Sequence, residues 1–246
     1  MKKHIVLLCI ILLHSCSSTQ SNNKDQELPA SIKEANVVRV DLVNLEHQCR
    51  EQDLTTALKN LSAQYINYKN DPSYWNVIGA CFLNDMKPLK ARLFFLRALE
   101  EDKSFAPALN NLGVVYWQMD KHYEALSYLK RAEQIDRNGV AIKYNLAKLY
   151  SWYGLHKSSN EKFSDLDSNV IQNQDYNYIA TNQAMLGQFE NAINSFRATK
   201  QIDSRFQAVY AYALKNIGKD VDATTEWKQA KVNDGDPLKW LWILGD

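Results

Sequence analysis

Cys49, Cys81, His122 and His156 are the side chains of this 246-residue chain best suited to covalent or metal chemistry. Cys49 and Cys81 sit at nearly equivalent points of a repeating pattern, slightly out of phase. Two such thiols can pack as small apolar side chains, or bridge where their Cα atoms come within about 7 Å. The phase offset favours packing, with the bridge left as the alternative. His122 and His156 are 34 positions apart, each at a turn. Equivalent points on neighbouring helix pairs lie about 8–10 Å apart, too far to share one metal ion. Both are read as turn residues packing partly on their own helices, and His47 has no evident partner. There is no Gly-rich phosphate loop, no His-Glu-x-x-His and no Gly-x-Ser-x-Gly. The expectation is no catalytic residue, no metal and no cofactor.

The elements that carry these residues follow from a fixed period. Ala57, Ala91 and Ala125 are 34 residues apart, and so are Gly79, Gly113 and Ala147. A period of that length is one helix–turn–helix unit, which buries its apolar face only against its neighbours. The 8 glycines and 5 prolines are too few to break many helices. A coiled coil is excluded because glycines at fixed turns contradict a heptad.

The start of the chain reads as a targeting signal. Lys2 and Lys3 precede an apolar run, Ile5 to Leu13, about half the ~20 residues a membrane-spanning helix needs. The junction Leu13-His14-Ser15-Cys16 resembles the lipobox of bacterial lipoproteins, with Leu13, Ser15 and Cys16 matching and His14 departing. The resemblance implies that Cys16 becomes a lipidated N-terminus. Ser17 in place of Asp implies an outer-membrane address. Several acyl chains hold a protein firmly where one would not. The formal charge of +1 then loses Lys2 and Lys3, leaving 27 basic against 28 acidic residues. Such a balance, with no basic stripe, argues against nucleic acid. Ser17 to Pro29 is too polar to order itself and reads as a tether. It ends at a capping box, Ser31-Ile32-Lys33-Glu34.

Two units carry a specific pattern. Trp75, Ile78-Gly79, Phe82, Ala91, Phe95 and Ala98 form one; Leu109, Leu112-Gly113, Tyr116, Ala125, Leu129 and Ala132 form the next. The pattern resembles the tetratricopeptide repeat. Weaker units follow at Asn138 to Leu166 (where Ser159 replaces the usual Ala), Asn173 to Thr199 and Arg205 to Ala230. A degenerate unit with Leu45, Ala57 and Leu61 precedes them. The resemblance implies an all-α, right-handed solenoid of about five to six repeats. The expected organisation is a leader at 1–15, a tether at 16–30, the repeat array at 31–235 and a capping segment at 236–246.

In that family the first helix of each unit lines a peptide-binding groove. Carried over, the groove residues are Asn76 and Asn84; Asn110, Trp117 and Gln118; Tyr144, Lys148 and Trp152; Asn177 and Met185. Amides can donate to and accept from a peptide backbone, and aromatics anchor interfaces. Misphasing by one position would instead put the aromatics between repeats. Lys148 stands nearly alone, so a clamp for a terminal carboxylate is not expected. Trp240 and Trp242 either cover the last repeat or expose a partner-docking end. The implied function is a non-enzymatic scaffold anchored by lipid to the outer membrane and facing the periplasm. It would recruit an envelope protein or peptide, with homo-oligomerisation open; the alternative is a pilotin-like assembly factor for a type IV pilus secretin.

Overall fold

The computed structural model describes residues 54–230 together with Leu42, Asn44, His47 and Cys49. The leader, Cys16, the tether, the Ser31–Glu34 box, Leu45 and the segment 236–246 with Trp240 and Trp242 lie outside the described residues. The described residues are all-α, and those from 54 to 230 carry twelve helices: α1 (Leu54–Ala63), α2 (Tyr65–Tyr68), α3 (Pro72–Asn84), α4 (Pro88–Glu101), α5 (Ala106–Gln118), α6 (His122–Ile135), α7 (Val140–Trp152), α8 (His156–Ser164), α9 (Asp175–Met185), α10 (Phe189–Ala198), α11 (Gln207–Asn216) and α12 (Asp220–Gln229). They fall into two compact units that divide inside α7, between Leu146 and Ala147.

In the first unit α3 pairs with α4 and α5 with α6. Pro72 and Pro88 open their helices where a missing N–H costs nothing, and Asp71 caps α3 by accepting from Ser73 N at 2.9 Å. Side-chain size sets how closely the paired helices approach. A Cβ built on Gly113 would lie 2.6 Å from Leu129 Cγ, and one on Gly79 would lie 2.5 Å from Phe95 Cε1. Ala91, Ala98, Ala125 and Ala132 are fully buried opposite, so the small-residue period marks the helix contacts. The second unit pairs α9 with α10 and α11 with α12. Its core runs through Ala180, Ala184, Ala192, Phe196, Val209, Ala213 and Ala223. Ser159, where the pattern has Ala, donates to Ala147 O at 2.7 Å, which satisfies a hydroxyl that is fully buried.

One turn is used five times. Met86, Asp120, Gly154, Gly187 and Gly218 all have φ between 57° and 77°. After each, the next residue donates five positions back: Lys87 to Phe82, Lys121 to Tyr116, Leu155 to Tyr150, Gln188 to Gln183 and Lys219 to Leu214, at 2.9–3.0 Å. This is the Schellman closure of the first helix of each pair. The glycines are the sequence's turn signal, and Met86 and Asp120 do the same work without one.

The structure joins Cys49 and Cys81 in a disulfide, with Cα atoms 5.1 Å apart. The expectation of two unbridged core thiols is therefore corrected. Their separation is 32 residues, two short of the repeat period.

Candidate partner-binding site

In the first unit the amide side chains face one another. Asn145 Nδ2 donates to Asn110 Oδ1 at 2.8 Å, Asn110 Nδ2 to Asn111 Oδ1 at 3.2 Å, and Asn111 Nδ2 to Asn76 Oδ1 at 2.9 Å. All four are fully buried. Asn76 and Asn110 thus link successive helix pairs, with their amides engaged by each other. Trp117 is buried and sits edge-on to His122, with ring centroids 4.8 Å apart. Tyr144 is buried, Gln118 is half-buried and Asn84 is exposed. Burial holds His122 below the ordinary imidazole value, partly opposed by Asp120.

In the second unit Lys148 is 1% exposed. Its Nζ lies 3.7 Å from Asp175 Oδ1 and 5.1 Å from the centre of the Tyr178 ring. Asp175 is also buried and accepts from Gln172 N at 2.8 Å. Burial pushes the Lys148 ammonium below its usual value, and Asp175 offsets part of that shift. Lys148 was expected in the groove; here it lies in a buried ion pair. Asn177 is buried too and donates to Gln174 O at 3.3 Å. Met185 is half-buried.

Trp152 differs from these. It is 43% exposed at the end of α7, edge-on to Tyr153 at 5.1 Å. Leu155 and Leu186 are 49% and 42% exposed, and each belongs to the turn that follows the first helix of a pair. In this unit, large apolar side chains are thus exposed along the turn edge. The same unit holds a polar cluster that the sequence did not reveal. Asn182 Oδ1 accepts from Ser151 Oγ at 2.9 Å and lies 2.9 Å from His156 Nδ1, while Asn182 Nδ2 donates to Ser159 Oγ at 2.7 Å. His156 completes the cluster by carrying its proton on Nδ1. Burial holds it below the ordinary imidazole value, although the Asn182 hydrogen bond opposes that. The signal that could have found this cluster is Ser159, a hydroxyl at a small-residue position. A hydroxyl buried there needs partners.

Among the described residues no three His, Cys, Asp or Glu side chains come together as metal ligands, and no helix is long and apolar enough to cross a membrane. What the second unit offers chemically is exposed apolar side chains at its turns and a hydrogen-bonded polar cluster.

A tetratricopeptide-repeat family model matches residues 106–138, the unit made by α5 and α6. No curated protein matches the chain in sequence. Solved structures share the fold. YrrB, described as a TPR protein with an unusual peptide-binding site, has a TM-score of 0.57 and 17% identity over 75% of this chain and 96% of its own. A Pseudomonas aeruginosa pilF structure has a TM-score of 0.62 and 15% identity over 84% of this chain and 96% of its own. A MamA structure has a TM-score of 0.53 and 15% identity over 66% and 91%.

Proposed function

We infer that this chain is a tetratricopeptide-repeat protein serving as a protein-interaction scaffold, and we propose that it works at a bacterial envelope membrane, held there by lipid on Cys16. The observation that carries the scaffold reading is the exposure of Trp152, Leu155 and Leu186 along repeated helix pairs. An exposed tryptophan at a helix end can anchor a partner with few rotatable bonds to immobilise. The partner is an envelope protein or peptide segment, and the protein carries out no reaction of its own. Groove binding through Asn76, Asn110, Trp117, Tyr144, Lys148 and Asn177 has less support, because their side chains are buried.

The leader and the Leu13-His14-Ser15-Cys16 junction support anchoring at the outer membrane, facing the periplasm. A second reading is a pilotin-like assembly factor for a type IV pilus secretin. It draws support from the fold shared with the P. aeruginosa pilF structure, at a level of identity that speaks to fold alone.

Two variants test these readings separately. Cys16→Ser should move the protein from the membrane fraction to the soluble one; unchanged membrane association contradicts lipid anchoring. Trp152→Ala should lose the co-purifying partner while melting as the parent does. Full partner recovery in that variant contradicts the docking edge.

A further inference from the structure

We propose that Cys49–Cys81 is a covalent clip, closed by dithiol–disulfide exchange with a disulfide-donor oxidoreductase, that fastens the N-terminal helices onto the array. The bond joins positions 32 residues apart, with Cys81 fully buried on α3 and Cys49 8% exposed. Among the described residues, the segment it fastens buries few side chains. α1 buries Ala57 and Leu61 alone, α2 buries nothing, and upstream of them Asn44 and His47 are exposed while Leu42 is buried. By contrast, α3 buries nine of its thirteen residues. Hydrogen bonds from Tyr74 Oη to Leu61 O at 2.9 Å and from Trp75 Nε1 to Lys69 O at 2.7 Å assist the attachment. Closing a loop of this length shifts the opening equilibrium on the order of a hundredfold. That is enough to turn a fraying end into a fixed one.

The burial also orders the chemistry. Cys49 keeps more exposure than Cys81 even with the bond closed, so the exchange starts at Cys49 while the N-terminal helices are open. The Cys49 thiolate attacks one sulfur of the donor's disulfide, and the donor's other sulfur leaves as thiolate. The Cys81 thiolate then attacks the Cys49 sulfur and expels the donor. Two thiol protons and two electrons pass to the donor, which ends as a dithiol. Only the source of the oxidant rests on the envelope reading, since exported compartments sustain such donors and the cytosol does not.

The test uses the full-length protein from the membrane fraction, alkylated after denaturation without reductant and mapped by mass spectrometry. The expected result is a linked pair of peptides containing Cys49 and Cys81. Alkylation of both thiols would overturn the clip, whether or not the leader has been removed, and leader removal is read from the N-terminal peptide in the same map. A second arm does not depend on compartment: reduced, purified protein is refolded with glutathione disulfide and followed by hydrogen exchange. Closure should slow exchange in α1 on the order of tenfold to a hundredfold, leaving α5 and α6 unchanged. Identical exchange in α1 before and after closure would show that the bond fastens nothing.

Discussion

Asn145 donates to Asn110 across one repeat at 2.8 Å, and one repeat earlier Asn111 donates to Asn76 at 2.9 Å. The two links share a spacing of 35 residues and are themselves joined through Asn110 and Asn111. Buried amides of this kind fix the register of one helix pair on the next. Losing one partner leaves the other unsatisfied, which costs more than the bond's net worth. Asn110→Ala should therefore destabilise the protein by about 1–3 kcal/mol in urea unfolding. A variant that melts like the parent would return Asn110 to a solvent-facing groove.

Gly113 tests the helix contact. Alanine normally improves a helix over glycine by about 1 kcal/mol. Here its Cβ would lie 2.6 Å from Leu129 Cγ, so overpacking of about 1–3 kcal/mol should win and lower the melting temperature. In a Leu129→Ala background the same substitution should lose its penalty, which a double-mutant cycle would read as coupling.

Met86 holds a left-handed backbone, φ 58°, where the last three pairs have glycine. That conformation costs an L-residue roughly 1–2 kcal/mol. Met86→Gly should stabilise the first unit by about 1 kcal/mol, after glycine's own entropy cost is counted. Asp120→Gly should gain less, because Asp visits this region more readily. Thermal melts of both variants decide it.

Ser159 and His156 give a pH prediction. Both hydrogen-bond to Asn182, and burial holds the His156 pKa below its unfolded value of about 6.5. As pH falls through about 6.5 the unfolded chain takes up a proton that the folded ring refuses, so stability drops. The loss is complete once pH is below the folded pKa. His122 acts in the same direction. Urea midpoints should fall between about pH 7 and pH 5, less steeply in His156→Gln. Ser159→Ala, although it restores the repeat's usual residue, should cost about 1–3 kcal/mol by leaving Asn182 Nδ2 without its acceptor.

Much of the fold was legible because helix contacts impose size. Gly79, Gly113, Ala91 and Ala125 recur where backbones approach, and Gly154, Gly187 and Gly218 mark turns by conformation. Met86 and Asp120 fill the same turns but carry no glycine to announce them. The candidate site was harder to read. Adjacent positions on a helix differ by about 100° in direction, so the repeat pattern alone could not say whether Asn110 faces a groove or its neighbour. Lys148 looked solitary because its partner Asp175 lies in another repeat. The Cys49–Cys81 spacing of 32 departs from the 34-residue period, so the repeat pattern alone did not announce the bridge.

The central claim, that the turn edge around Trp152 docks an envelope protein, is tested most directly by a photo-crosslinking residue at position 152 in the native cell. The account predicts capture of one discrete envelope protein at 152, and no product from the same probe at buried position 117. A probe at 152 that captures nothing, in a protein that is folded and membrane-bound, would contradict it.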